Sequence, residues 1–170
     1  MIIRLSQKLA TKIKAGKLSE MPLDENEYAD WSAHLFTCER IQYVILCNTK
    51  SFYSCVMFGK GITSDGIFIE RALSMIRAFM ENDGQALAYR EFIAPVSASI
   101  SVAKSLNRSV IGSMNDHVQA SKFLLEDGFS PHDVGFRLNQ TPLSALTDAN
   151  GRKYANPKEV FERLSSGDSS

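Results

Sequence analysis

The stretch that decides the fold is DWSAHLFTCERIQYVILCNTKSFYSCVMF, residues 30–58. At its start Trp31, Ala33 and Leu35 occupy every second position, which is the two-residue period of a strand. Two further β-rich runs follow, at residues 42–47 and 52–58. A turn-forming cluster, residues 48–51, lies between them. Because a short polar connection between two such runs is typical of a hairpin, the stretch predicts a three-stranded antiparallel meander. Trp31 is its predicted core anchor.

Two helical patterns follow the meander, from Ile67 to Met80 and from Ile111 to Asp127. Apolar residues recur in both at intervals of three and four, which gives each helix one broad apolar face. In the second helix we expect Ile111, Met114 and Val118 to face the core. The predicted fold is therefore an α+β domain, in which a mainly antiparallel sheet of four to six strands is covered by helices on one side.

Shorter patterns complete the predicted domain. Alternation in 96–102 predicts a half-buried strand, and 129–134 is predicted as a loop before a strand in 136–146 that is interrupted at Pro142. An apolar start at 2–5 predicts another strand. The final helix is predicted to begin at Asn156–Pro157. Residues 1–164 then form one globular domain, and residues 165–170 a polar, mobile tail.

Charge is distributed unevenly near the beginning of the chain. The segment 7–17 carries four lysines, and the segment 20–30 carries five acidic residues. One interpretation is a basic helix beside an acidic surface loop, which needs no function. The other is a bipolar patch that docks a charged partner. Exposed charge pairs contribute under about 1 kcal/mol each, so the pattern decides little about stability.

The totals exclude several classes of protein. The 170 residues contain 19 Lys and Arg and 19 Asp and Glu, so the formal net charge is zero. This balance argues against a general nucleic-acid or membrane-surface binder, because such proteins carry a basic excess. The chain has no signal-peptide pattern and no apolar run of about 20 residues, so we predict a cytoplasmic location. Cys38, Cys47 and Cys55 are predicted to be buried, reduced thiols.

Residues 108–117 read RSVIGSMNDH and combine hydroxyl, amide and charged side chains where a predicted strand leads into a helix. Asn107 or Ser109 can cap that helix. Gly112 costs a helix about 1 kcal/mol relative to alanine, so we expect the backbone there to pass close to a neighbouring strand or a ligand. Free amides at a helix start can hold an anion. One interpretation of the junction is structural, with capping and packing as its only roles. The other is an anion site, whose predicted ligand-binding residues are Arg108, Ser109, Ser113, Asn115 and Asp116.

No catalytic or metal-binding signature accompanies this motif. His117 follows Ser113 by four residues, so it could reach a Ser113 nucleophile, but the Gly-x-Ser-x-Gly elbow is absent. The histidines His34, His117 and His132 lack the spacing of a zinc site, and a structural or exposed role is the simpler interpretation for each. We therefore predict no metal, no cofactor and no catalytic residue.

Several motifs together resemble a known family. They are Arg4-x-x-x-Lys8-Leu9, Asp30-Trp31-x-Ala33-x-Leu35, the β-rich run ending in Asn48, Arg108-Ser109-Val110-x-Gly112-Ser113-Met114-Asn115-Asp116 and Leu138-Asn139-x-Thr141-Pro142-Leu143-Ser144. In these residues the chain resembles an uncharacterised family of small bacterial proteins, known only as a domain of unknown function. The resemblance implies a single-domain cytoplasmic protein and brings no activity. Ser32-Ala33-His34 departs from the family's more usual Tyr-Ala-Asn, so the resemblance implies no role for position 34.

The predicted function follows from these observations. Zero net charge and the lack of a catalytic or metal-binding constellation favour a non-enzymatic binding or regulatory protein, an accessory of a mobile element, toxin–antitoxin pair or defence system. Its expected partner is another protein or a second copy of the chain; the sequence has no strong nucleic-acid signal, and no membrane is expected. The alternative is an enzyme that acts on a phosphorylated or nucleic-acid substrate through the junction at 108–117.

Overall fold

A computed structural model describes residues 1–167 of the chain. The strands in this range are β1 (Ile2–Leu5), β2 (Asp30–Cys38), β3 (Ile41–Asn48), β4 (Ser54–Phe58), β5 (Ser101–Lys104), β6 (Leu143–Thr147) and β7 (Lys153–Ala155). The α-helices are α1 (Gln7–Ile13), α2 (Asp65–Asn82), α3 (Ala86–Ala88), α4 (Arg108–Glu126), α5 (Pro131–Asn139) and α6 (Pro157–Phe161). Short 3-10 helices occupy Glu27–Ala29 and Ala94–Val96, and a π-helix occupies Tyr89–Ile93.

The main sheet has five strands in the order β4-β3-β2-β1-β5. The meander β2-β3-β4 is antiparallel, whereas β1 pairs in parallel with both β2 and β5. β6 and β7 form a separate small antiparallel pair. The α+β class and the predicted meander are confirmed. Trp31 is fully buried, as expected for a core anchor.

Helices cover both faces of this sheet, so the expectation that they lie on one side is wrong. One core cluster joins Trp31 and Leu46 to the buried residues of α1 and α2. The other joins Phe36 and Ile45 to those of α4 and α5. Ile45 and Leu46 are neighbours with side chains on opposite faces, and both are completely buried. A continuous apolar run of this kind, present in β3, is typical of a strand that is buried on both sides.

Two other segments differ from the sequence expectation. The predicted strand 96–102 is mostly helical turn and bend, and only β5 at its end joins the sheet. The predicted loop and strand in 129–146 contain helix α5, which Ser130 caps by accepting a hydrogen bond from the Asp133 amide. Pro131 at the first helical position supports this start, because its fixed φ suits a helix. The strand is limited to β6.

The carboxyl end of the described chain returns to the beginning of the sheet. α6 begins at Pro157 as predicted, and its Phe161 is fully buried in the cluster with Trp31. Ser165, the first residue of the predicted tail, exchanges two hydrogen bonds of 2.9 Å with Glu27. Residues 168–170 of that tail lie outside the described residues. Among residues 1–167, no helix is long and apolar enough to cross a membrane.

A buried ion pair holds the parallel strands together. Arg4 of β1 donates from Nε and Nη2 to the two carboxylate oxygens of Asp30 in β2, each at 2.8 Å. Both side chains are fully buried. The remaining guanidinium hydrogens bond the carbonyls of Met21, Pro22 and Lys104. The Arg4 side chain, on the middle one of the three parallel strands, therefore hydrogen-bonds both the loop before β2 and the end of β5.

Candidate functional site

A cleft opens where β1 ends and β2 continues. β1 pairs with Asp30–Ala33 and stops at Leu5, whereas β2 runs on to Cys38. The chain leaves the sheet at Ser6 and enters α1, which packs on one face, while α4 packs on the other face. The space between them, beyond the carboxyl end of β1, has a volume of about 850 Å³. We call it the α1/α4 cleft.

Three elements line the α1/α4 cleft. The α1 side contributes Ser6, Gln7, Lys8, Thr11 and Lys12. The sheet contributes His34, Leu35, Phe36, Thr37 and Gln42. Helix α4 contributes Asn115, Val118, Gln119 and Lys122. Hydroxyl, amide and ammonium groups predominate in this lining, so the cleft can offer many hydrogen bonds to a polar ligand.

The charge of the lining has one sign. It contains Lys8, Lys12 and Lys122, and it contains no aspartate or glutamate. The Lys12 ammonium donates to Gln42 Oε1 at 2.6 Å. Neither the Lys8 nor the Lys122 ammonium bonds or forms an ion pair with any group in residues 1–167. A cleft lined by one sign of charge concentrates ligands of the opposite sign.

His34 lies in the sheet part of the lining, and only 8% of its surface is exposed. Burial lowers the pKa of this histidine below its ordinary range, because the charged imidazolium loses its hydration. Its Nε2 atom is buried and has no hydrogen-bond partner among the described residues. A buried polar atom without a partner is uncommon, and His34 shares this feature with His117, which lies outside the cleft.

The predicted ligand-binding residues all lie in the first half of α4, on two stripes of the helix. α4 begins at Arg108, and the Asn107 side chain caps it by accepting from the Val110 amide at 2.9 Å. Arg108 and Asn115 are seven residues apart and share one stripe, whereas Ser109, Ser113 and Asp116 share another. All of them are exposed except Ser113, which is buried, and of the five only Asn115 lines the α1/α4 cleft.

The apolar face of α4 is shifted from its predicted position. Ile111 is 37% exposed, and Val110 is buried in its place beside Met114 and Val118. The expected close approach at Gly112 is also wrong, because a Cβ added there meets no atom within 4 Å. Ile111 and Gly112 both lie on the exposed side of α4.

Replacement of Gly112 by alanine is expected to raise the free energy of unfolding by about 0.5–1 kcal/mol, because the site is open and helical. Chemical denaturation measures the change. Gly135→Ala is the matched control, since a Cβ at position 135 of α5 would lie 2.6 Å from Phe79 Cε2 and should destabilise the protein. A loss of stability in Gly112→Ala would show that the backbone at Gly112 is crowded after all.

His117 does not hydrogen-bond Ser113, the alternative that the sequence left open. His117 instead points its Nδ1 at Ser54 Oγ in β4, 3.1 Å away. The Ser54 hydroxyl also lies 2.6 Å from the Phe52 carbonyl and 2.9 Å from Cys47 Sγ. The Nε2 atom of His117 is buried and has no hydrogen-bond partner among the described residues. Burial lowers the pKa of His117 to about 4, which keeps the ring neutral at pH 7.

His117 should make stability depend on pH. Its folded-state pKa of about 4 lies below the ordinary value of 6.5, so between these values the unfolded chain binds more protons than the folded one. The free energy of unfolding is expected to fall as the pH decreases from 7 to 5, by on the order of 1–2 kcal/mol from this residue. Denaturation at the two pH values measures it. An equal pH dependence in His117→Leu would contradict this assignment.

The three cysteines are free and buried, as predicted. Burial raises the pKa of the Cys47 thiol to about 12 and also raises that of Cys55. A thiol in this state is a small apolar side chain rather than a nucleophile. In residues 1–167 the histidine, cysteine, aspartate and glutamate side chains form no group of three that could hold a metal ion.

Sequence reasoning missed most of the α1/α4 cleft. His34, Lys8 and Lys122 come from three separate segments, and only the sheet order brings them together. One signal in the sequence was that the strand pattern of β2 is longer than that of β1. Where a strand extends beyond the carboxyl end of its parallel neighbour, a space is left beside it. The other was the basic segment 7–17, whose docking interpretation agrees with the position of two of its lysines.

The fold and the cleft define a class: an α+β domain with a mixed sheet and a lysine-lined cleft at the carboxyl end of its central parallel strand. The chain belongs to the family described as Domain of unknown function (DUF6933), which matches residues 2–160. That match agrees with the resemblance to an uncharacterised family. No curated protein and no solved structure matches the chain significantly.

Proposed function

We propose that this protein is a binding protein whose α1/α4 cleft takes an anionic ligand. The observation that carries the proposal is the lining itself, in which three lysines are present and carboxylates are absent. For two of those lysines, Lys8 and Lys122, no carboxylate of the described residues lies within ion-pair distance of the ammonium group. An anion that binds between them supplies such a partner, and it does so in a partly enclosed space where screening by salt is weaker than on an open surface.

The position of the cleft supports the same proposal. In sheets with parallel strands, ligands bind outside the carboxyl ends of the strands, where successive helices go to opposite faces. Here α1 follows β1 on one face and α4 follows β5 on the other. The cleft lies between these two helices. The arrangement is therefore of the kind that commonly holds a ligand, although its lining differs from that of nucleotide-binding folds with a glycine-rich loop.

The proposed role is non-enzymatic. The lining offers hydrogen-bond donors and positive charge, but it has no carboxylate that could act as a general base or hold a metal. The hydroxyls of Ser6 and Thr11 already have helix partners, the Leu9 amide and the Gln7 carbonyl. A regulatory or accessory protein in the cytoplasm, which recognises an acidic partner or ligand, fits these groups.

A second candidate is an enzyme acting on a phosphorylated substrate, and His34 is the observation that favours it. Its lowered pKa keeps the imidazole neutral, and a neutral imidazole can accept a proton. In this version the lysines bind the phosphate and His34 is the base. Turnover of a phosphorylated substrate that is lost in His34→Gln, with unchanged binding of that substrate, would favour the enzyme over the binding protein.

Charge reversal in the cleft tests the proposal. Lys8→Glu combined with Lys122→Glu is expected to weaken binding of pyrophosphate or ATP at least roughly tenfold, because attraction becomes repulsion. Isothermal titration calorimetry at low salt measures binding. Lys60→Glu is the matched control: Lys60 is exposed and lies outside the cleft, so its reversal should leave affinity nearly unchanged. Equal loss in both proteins would contradict binding in the cleft.

A further inference from the structure

The backbone edge of β2 is open inside the α1/α4 cleft. Ala33 accepts a hydrogen bond at its carbonyl from the Ser6 amide, 3.0 Å away, and this is where pairing with β1 ends. Every second residue of a strand presents its peptide groups to the same edge, so those of Leu35 and Thr37 face the cleft. Within residues 1–167 no backbone or side-chain group bonds them on that edge.

The opposite edge of the same segment is fully paired. β3 runs antiparallel beside it, with His34 opposite Ile45 and Thr37 opposite Gln42. The open edge is therefore held in strand conformation before any ligand arrives. An unpaired edge of this kind is a template for an added strand. Because this edge is already ordered, binding to it does not carry the entropic cost of ordering the β2 segment.

We propose that an extended acidic peptide segment of a partner protein binds in the cleft as a short added strand along residues 35–37 of β2. This inference rests on the proposed function and names its ligand. The added segment takes up the position that β1 vacates at Ser6. Main-chain hydrogen bonds to Leu35 and Thr37 align it, and its carboxylates face Lys8 and Lys122.

Charge complementarity selects an acidic peptide over a neutral or basic one. Lysines stand on both sides of the open edge, Lys8 and Lys12 from α1 and Lys122 from α4. Side chains of a strand alternate between the two faces, so successive side chains of the added strand point toward α1 and toward α4. Acidic residues at several positions of one peptide can therefore each meet a lysine. The paired length is about 10 Å, three residues of strand.

A peptide uses more of the cleft than a small anion does. Phosphate can bind the lysines, but it leaves most of the open peptide groups of β2 without partners. An extended chain satisfies both sets of groups. The outer edge of β5 does not offer the same template, because Ser19 forms a bridge to Ala103 there, and the Asn139 side chain occupies the edge of β4 at Ser54.

The test uses the full chain and a capped hexaglutamate peptide, whose successive side chains can face α1 and α4 in turn. ¹H–¹⁵N NMR titration is expected to show saturable shifts of the Leu35 and Thr37 amides and slowed hydrogen exchange at both. A fully N-methylated hexaglutamate has the same charge but no main-chain N–H, so it distinguishes strand addition from simple charge attraction. We expect it to bind at least roughly tenfold more weakly than the unmethylated peptide, because it cannot donate to the carbonyls of β2.

Each outcome decides between the two proposals. Equal binding of the methylated and unmethylated hexaglutamate, or binding of pyrophosphate without binding of the hexapeptide, would overturn strand addition and leave the anion site intact. Failure of pyrophosphate, ATP and the hexapeptide alike would overturn both. A hexalysine peptide that binds as well as hexaglutamate would show that the edge is used without the predicted charge selection, and would also overturn the proposal.

Discussion

Arg4→Met is expected to lower the free energy of unfolding by about 3–5 kcal/mol, because it leaves the Asp30 carboxylate buried without its partner. Asp30 is completely buried, and both its oxygens accept from Arg4 at 2.8 Å. The substitution also removes the donors that bond the carbonyls of Met21, Pro22 and Lys104. Urea denaturation followed by circular dichroism measures the change.

A second substitution distinguishes the effect of the broken ion pair on stability from the effect of altered packing. Adding Asp30→Leu to Arg4→Met should recover part of the lost free energy of unfolding. Replacing both members of a buried ion pair by apolar side chains destabilises a protein less than removing one member, which leaves the other charge buried without a partner. The exposed pair Arg77–Glu81 is the matched control, and Arg77→Ala is expected to leave the melting temperature unchanged. A stable Arg4→Met protein would contradict the view that this pair fastens the parallel strands.

Asn139→Ala is expected to lower the free energy of unfolding by about 2–4 kcal/mol, since it leaves two buried backbone groups without partners. Asn139 of α5 accepts from the Ser54 amide at 2.7 Å and donates to the Ser54 carbonyl at 2.9 Å. Its side chain thus pairs with β4 as a neighbouring strand would. Denaturation by urea measures the effect, and hydrogen exchange at the Ser54 amide should accelerate.

Asn115→Ala is the matched control for that loss, because Asn115 is an exposed asparagine within a helix and bonds no described residue. Alanine there should be neutral or slightly stabilising, because its helix propensity is higher. If Asn139→Ala and Asn115→Ala had the same stability, α5 would not depend on its bonds to β4. The exchange rate at Ser54 would then stay unchanged.

The sequence predicted the parts of the fold that depend on local patterns. The alternation around Trp31 identified β2, and the three- and four-residue repeats from Ile67 identified α2. Helix-start residues were informative as well. Asn107 was predicted as a possible cap and caps α4, whereas Ser130-Pro131, also an ordinary start signal, marks the helix α5 in a segment predicted to begin as a loop. Propensity alone did not separate that helix from a strand interrupted at Pro142.

The candidate site could not be predicted from a single motif, for a physical reason. The residues 108–117 are close in sequence, but a helix distributes them around its circumference, and only Asn115 reaches the cleft. The groups that do meet there come from α1, β2 and α4, which are joined only when β1 pairs in parallel with β2. Strand pairing of this kind is decided by the whole chain, and it has no local signature.

Anion binding in the α1/α4 cleft is tested most directly by a ¹H–¹⁵N chemical-shift map of the full chain titrated with pyrophosphate at low salt. Binding there predicts saturable shifts confined to the cleft, at Thr11, Leu35 and Gln119, which disappear in the Lys8→Glu/Lys122→Glu protein. No saturable shifts, or shifts centred on the apolar groove between α2 and α5 near Met75 and His132, would contradict it.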